Sequence, residues 1–212
     1  FRGVQYFAQR GSLTARALSR NLDTKDADLL ITLLWLVSTT IPQEAVKDLF
    51  TLIMEDQMDN RVKFCLYNAL EAYPELESGA MILKGIGESS DLVKTAALKA
   101  LEKHCSDYVV AEIKKQIESG SKAGKDLVRT ILDIRAQRLT ESLLVSDSFS
   151  YNASNHLETK AALPVLDAYI KILEKRNLAS TLKRYQSIRD KKAREDSPVI
   201  MVVSPSNCYL EV

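Results

Sequence analysis

Hydrophobic and polar positions follow one helical pattern that occurs twice between positions 59 and 120. The first copy begins DNRVKFCLYNALEAY and the second begins SDLVKTAALKALEKH. A period of about 30 residues that contains two helices is typical of stacked helix pairs, because one pair alone cannot bury its apolar face. The two copies match at an offset of 31 residues, and the matched positions are Val62 with Val93, Ala69 with Ala100 and Leu70 with Leu101.

The first helix of each copy has a recognisable order of residue types. An acidic residue, a valine and a basic residue begin it, and a small residue followed by leucine ends it. In the second copy these positions are Asp91, Val93, Lys94, Ala96, Ala97, Ala100 and Leu101, and in the looser first copy they are Asp59, Arg61, Val62, Ala69 and Leu70. The order resembles the HEAT-repeat family of armadillo-like proteins. This resemblance implies a right-handed α-solenoid that serves as a scaffold, with the alanines allowing neighbouring helices to approach closely.

The segments on either side extend the array to residues 23–146. A helix capped by Asp23 or Thr24 continues to about position 40, and it is apolar nearly all round, so we expect it to be buried. The single tryptophan, Trp35, is then expected to fill the core. A second helix follows Pro42, with Val46, Leu49, Phe50 and Ile53 on one stripe. Beyond Gly120 the same order of residue types returns at Lys125, Asp126, Val128 and Arg129. Val128 lies 35 residues after Val93.

Different patterns occupy the remaining parts of the chain. Residues 1–22 are expected to form N-terminal cap helices. The polar segment 146–155 is expected to be a surface loop that breaks the array. Residues 147–196 are assigned to a C-terminal helical hairpin, in which Pro164 predicts either a kink or a helix that begins near Leu163. The chain begins at Phe1 in mid-pattern, which predicts a fragment of a longer protein.

Residues 197–212 differ in kind from the helical segments. Five consecutive apolar residues, Val199 to Val203, lie between two prolines and predict a buried β-strand. The strand and Ser206 resemble the first strand and following serine of a response-regulator receiver domain. Ser204 and Pro205 occupy the places of that family's two acidic residues. The resemblance implies a bacterial two-component-like signal-transduction protein.

Composition supports long helices and excludes several function classes. With 46 % hydrophobic residues, 7 Gly and 5 Pro, an all-α fold is expected, ending in the short C-terminal β-strand. Lys and Arg total 29 against 28 Asp and Glu, so the net charge of the chain is too small to attract a polyanion. Another protein is therefore the expected partner, and nucleic acid is disfavoured. The alternative is a nucleic-acid-binding or DNA-glycosylase-type HEAT-like array, which requires Lys and Arg to converge on one surface.

Candidate chemical groups are few. Three widely spaced cysteines and two histidines, namely Cys65, Cys105, Cys208, His104 and His156, provide neither a zinc motif nor a disulfide framework. A reducing cytoplasm is the expected compartment. The adjacent His104 and Cys105 are expected to point in different directions, which disfavours a catalytic pair. We therefore expect no catalytic, cofactor or metal residues, no small-molecule substrate and no membrane partner, since the longest apolar run is far shorter than the roughly 20 residues of a spanning helix.

The expected interaction surface lies on the second helices of successive pairs, about 43–56, 75–88 and 106–119. By resemblance to HEAT arrays these helices line a concave face. The positions left after their apolar stripes are subtracted are Gln43, Glu44, Lys47, Thr51, Ser78, Met81, Tyr108, Glu112 and Lys115. A separate basic cluster near the C-terminus predicts a solvated helix end or a docking surface for an acidic partner. It comprises Lys183, Arg184, Arg189, Lys191, Lys192 and Arg194.

Overall fold

The computed structural model describes residues 20–40, 45–53, 58–73 and 76–196. Within these ranges every regular element is helical, and the all-α prediction is confirmed for them. The N-terminal cap predicted for residues 1–22 lies almost wholly outside the described residues, and the predicted strand Val199–Val203 lies entirely outside them. The α-helices are α1 Ala27–Thr40, α2 Val46–Ile53, α3 Asn60–Leu70, α4 Leu76–Ile82, α5 Asp91–Lys103, α6 Asp107–Glu118, α7 Lys122–Asp133, α8 Gln137–Leu143, α9 Asp147–Thr159, α10 Leu163–Lys175 and α11 Ala179–Glu195, with a 3₁₀ helix at Leu83–Gly87.

The helices fall into two compact units. The first unit ends at Ala161 and the second begins at Ala162. In the first unit α1 packs on α3 and α3 packs on α5, while α2 packs on α4, α4 on α6 and α6 on α8. Odd-numbered helices thus neighbour odd-numbered helices at the start of the chain, and even-numbered helices neighbour even-numbered ones.

The positions repeated in the sequence form the core of these contacts. Val62, Ala69 and Leu70 are buried in α3, and their counterparts Val93, Ala100 and Leu101 are buried in α5. The small residues Ala96 and Ala97 are also fully buried, so α5 accepts neighbours on a broad face. The repeat in the sequence therefore reflects equivalent packing positions.

Two expectations for α1 are wrong. The helix buries Leu30, Leu33, Leu34 and Val37, whereas Trp35 is 47 % exposed. A helix whose middle is mostly apolar therefore has one buried stripe and one exposed side. The N-terminal cap is also displaced, because the Asp26 carboxylate accepts hydrogen bonds from the backbone N–H groups of Asp28 and Leu29 at 3.0 and 3.1 Å. Thr24 instead accepts from the Asp26 N–H at 3.3 Å.

The surface loop predicted for residues 146–155 is also wrong, because this segment lies in helix α9. Its Ser and Asn residues resemble a loop in composition, but Phe149, Ala153 and Leu157 recur at four-residue spacing and are buried. His156 Nε2 lies 2.7 Å from Asp133 Oδ1, which joins α9 to α7. Helix α9 accordingly belongs to the first unit rather than to the C-terminal hairpin.

The second unit is an antiparallel helical hairpin made of α10 and α11. Pro164 stands in the first turn of α10, so the helix begins at Leu163 without an internal kink, as one of the two sequence-based alternatives predicted. Asn177 adopts a positive φ of 54° in the connection. Tyr169 and Tyr185 pack edge to face with ring centroids 5.1 Å apart.

Candidate protein-interaction surface

The predicted surface lies on helices α2, α4 and α6. Helix α4 packs closely against the beginning of α6. A Cβ atom on Gly79 of α4 would lie 2.9 Å from Val109 Cγ2 and 3.2 Å from the His104 carbonyl oxygen. These distances are shorter than normal carbon contacts, so the absence of a side chain at Gly79 permits the approach of the two helices. Consecutive even-numbered helices therefore present neighbouring surfaces.

The structure places the predicted interface residues at different depths. Tyr108 is 58 % exposed, and Thr51 and Lys115 are also exposed, whereas Met81 and Glu112 are half-buried. Tyr108, Glu112 and Lys115 share one side of α6, since they are spaced by four and three residues. Lys115 Nζ lies 3.9 Å from Glu112 Oε1. Gln43 and Glu44 lie outside the described residues, as do the side chains of Lys47 and Ser78.

Small exposed residues beside Tyr108 were missed by the sequence analysis. Ala111 lies one turn after Tyr108 on α6 and is exposed, and Ala80 is exposed on the neighbouring α4. Their positions follow from the buried stripe Val109, Ile113 and Ile117, whose opposite side contains Ala111. The Tyr108 ring, with a small exposed residue one turn away on its own helix, is accessible to a partner, and tyrosine is enriched in protein interfaces.

Polar side chains of some helices form hydrogen bonds with backbone groups at the ends of other helices. Glu102 of α5 accepts the backbone N–H groups of Arg138 and Leu139 at 2.7 and 3.0 Å, and so caps the beginning of α8. Lys84 donates to the carbonyl oxygen of Ile53 at the end of α2. These contacts orient successive helices by satisfying backbone groups that a helix end leaves without partners.

His104 makes a comparable contact between repeats. Its ring is buried, and Nε2 lies 2.9 Å from the Leu70 carbonyl oxygen at the end of α3. The carbonyl accepts a hydrogen bond when Nε2 carries the proton. The neighbouring thiol of Cys105 is half-buried, and burial, reinforced by the charge of Glu102, raises its pKa. A raised pKa keeps the thiol neutral and weakly nucleophilic.

A half-buried ion pair lies where α3 meets the 3₁₀ helix. Lys63 Nζ lies 2.9 Å from both carboxylate oxygens of Glu88. Burial, together with the negative charge of Glu88, raises the pKa of Tyr67 to about 12. The Tyr67 ring covers Gly85, and a Cβ on Gly85 would lie only 2.6 Å from Tyr67 Cζ and 2.5 Å from the Ala97 Cβ. The junction is therefore packed without space for a ligand.

Neither a metal-ligand cluster nor a membrane-spanning helix is found among the described residues. Within residues 20–40, 45–53, 58–73 and 76–196, no cluster of three or more His, Cys, Asp or Glu is arranged to hold a metal ion. No helix in those same ranges has both the length and the apolar character needed to cross a membrane.

The described helices define the class of the protein as all-α. Comparisons with protein-family models, with curated proteins and with solved structures gave no match to the chain.

Proposed function

We propose that the first unit is a HEAT-like α-solenoid that serves as a non-catalytic scaffold for binding another protein. The proposal is supported by the order of helix contacts, in which α2, α4, α6 and α8 are neighbours in sequence order. On α6 the buried stripe of Val109, Ile113 and Ile117 leaves the opposite side of the helix available to a partner. The proposed contact residues are Thr51, Met81, Tyr108, Glu112 and Lys115, together with the sequence-predicted Glu44, Lys47 and Ser78.

Tyr108 is the proposed anchor of this surface. It combines a large apolar ring with a hydroxyl group, and 58 % of its surface is exposed. A partner that covers the ring gains apolar burial, while Lys115 and Glu112 add charge selectivity at its edge.

Site-specific photo-crosslinking in cells tests the surface. The photoreactive residue p-benzoylphenylalanine replaces Tyr108 in one variant and Tyr151 in a matched control, because both tyrosines are highly exposed but Tyr151 lies on α9. We expect a discrete crosslinked protein from position 108 that is lost when Lys115 is also changed to Glu. Equal crosslinking from both positions, or none from position 108, would contradict the proposed surface.

A bacterial signalling role is proposed on sequence grounds. It is supported by the receiver-like pattern at Val199–Val203 and by the cytoplasmic location that the cysteine usage favours. The parent gene is expected to continue with alternating strands and helices, an aspartate at the end of the third strand and a later lysine. A gene that ends at Val212 would remove this part of the proposal.

One observation, the exposure of Trp35, favours the alternative of a glycosylase-type array. An exposed indole is available for stacking on a base. Arg61 on the neighbouring helix, however, is paired with Asp59 and Asp28 at 3.1 and 3.5 Å, so acidic groups accompany its positive charge. Quenching of the tryptophan emission by a single-stranded oligonucleotide would favour this alternative, and unchanged emission would count against it.

A further inference from the structure

The basic cluster near the C-terminus is divided by the structure into two groups. Arg189 is half-buried against α10, where its Nε donates to Asp167 Oδ1 at 3.0 Å. Lys192 is also half-buried. Both side chains therefore lie on the side of α11 that belongs to the hairpin.

The other four members of the cluster face outward together. Lys183, Arg184, Lys191 and Arg194 are all exposed and fall within an arc of about 100° around α11, because successive residues of an α-helix are rotated by about 100°. The row extends over about 16 Å at a rise of 1.5 Å per residue. Tyr185 is the only buried residue in this helix.

Helix-end electrostatics account for only part of this row. Lys192 and Arg194 lie in the last turn, where positive charge is favoured by the macrodipole. Lys183 and Arg184 lie in the first half of α11, where the macrodipole does not favour them. Residues 162–196 contain nine basic and five acidic side chains, so the near neutrality of the whole chain conceals a positively charged second unit.

We propose that the outward row of α11, formed by Lys183, Arg184, Lys191 and Arg194, is a docking surface for an acidic segment of a partner protein. Arg184 and Lys191 are two turns apart and Lys191 and Arg194 one turn apart, so the positive charges complement carboxylates on a partner helix. Lys191 Nζ lies 3.9 Å from Glu195 Oε1, but both side chains are mostly exposed, so this pair is weak. This surface belongs to the second unit, whereas Tyr108 belongs to the first.

The geometry of the hairpin favours an acidic protein over nucleic acid. Asp167 pairs with Arg189, and Tyr169 packs on Tyr185, so α11 returns antiparallel along α10. A DNA-binding helix-turn-helix instead crosses its two helices at a steep angle to place the second helix in the major groove. Asp190 and Glu195 also border the row, and carboxylates at those places repel a continuous line of phosphates while allowing a partner of mixed charge.

Fluorescence anisotropy of the full chain tests the docking surface. The probe is a fluorescein-labelled helical peptide with glutamate at every fourth position, titrated at low and high salt. We expect K183E/R194E to weaken binding about tenfold at low salt. The matched control K122E/K125E makes the same change in net charge at exposed positions of α7 and should change the affinity by less than about twofold.

Each other outcome overturns the assignment. Absence of peptide binding by the unmodified chain would remove the proposal, as would equal weakening in both double variants. Random-sequence duplex DNA and phosphatidylserine-containing vesicles are titrated in parallel. If either one binds more tightly than the peptide, and K183E/R194E loses that binding, the occupant is a phosphate-bearing surface and not an acidic protein. Circular dichroism checks that the variants fold; if K183E/R194E unfolds, the milder K183Q must show a partial loss for the proposal to stand.

Discussion

The substitution Gly85→Ala tests how closely α3, the 3₁₀ helix and α5 pack at their junction. An added Cβ would lie 2.5 Å from the Ala97 Cβ and 2.6 Å from Tyr67 Cζ. Ala97 is fully buried and cannot rotate away, so the neighbouring helices must separate. Overpacking of this kind costs about 1 to 3 kcal/mol, while the lower chain entropy of alanine offsets about 0.4 to 1 kcal/mol.

Gly87→Ala is the matched control for this substitution. Gly87 belongs to the same 3₁₀ helix, and no atom lies within 4 Å of its added Cβ. Neither glycine has a positive φ, so the backbone accepts alanine at both positions. We expect Gly87→Ala to be neutral or slightly stabilising and Gly85→Ala to lower the melting temperature by about 2 to 4 °C for each kcal/mol lost.

Thermal unfolding followed by far-UV circular dichroism measures both variants, because the single tryptophan, Trp35, is already exposed in the folded state and its emission would change little on unfolding. The double variant G85A/A97G removes the nearest clashing atom, so its loss of stability should be smaller than the sum of the losses in G85A and in A97G alone, although the Tyr67 contact remains. Equal stability of Gly85→Ala and Gly87→Ala would refute the reasoning, because the two substitutions differ mainly in the space around the new Cβ.

Four further outcomes follow from other described residues. Ala97→Glu should lower the free energy of unfolding by at least about 3 kcal/mol in urea, because an unpaired carboxylate would be buried; an undiminished value would contradict close packing at α5. Glu102→Ala should cost about 1 to 2 kcal/mol through loss of the α8 cap, whereas the half-exposed control Glu112→Ala should cost less than about 0.5 kcal/mol. Tyr67, whose folded pKa is raised to about 12 from 10.0, should stabilise the fold fully below pH 10 and progressively less as pH rises toward 12; urea unfolding should show a shallower alkaline loss in Tyr67→Phe, and identical profiles would contradict the shift. Emission of Trp35 should be red-shifted and readily quenched by acrylamide, and a blue-shifted, protected emission would contradict its exposure.

The periodicity of the sequence was sufficient to predict most of the helices and many of the buried residues. Val62 and Val93, with the alanines and leucines that follow them, were identified from a repeat and are all buried. A helix repeats its environment every 3.6 residues, so a stripe of apolar residues specifies both the helix and its buried side. The beginning of α10 at Leu163 was one of two predicted alternatives, because proline is compatible with the first turn of a helix but kinks its interior.

Sequence composition alone gave the wrong result where a helix has two possible environments. Residues 147–155 are polar enough for a loop, yet three widely spaced apolar residues suffice for α9 because α7 and α6 cover them. Trp35 was expected inside because its neighbours are apolar, but burial depends on which side of α1 meets another helix. The types of residues do not contain that information where apolar residues occur on every side of the helix, as they do in the middle of α1.

The amino-acid sequence by itself determined that this protein is helical and repeated, and which residues recur at equivalent positions. Local periodicity determines those properties, because each helix needs one apolar side. Only the tertiary structure decided the cap of α8 by Glu102, the contact of His104 with Leu70 and the separation of Arg189 from the outward row of α11. These contacts join residues that are 22 to 36 positions apart, so their existence depends on how helices are brought together in space.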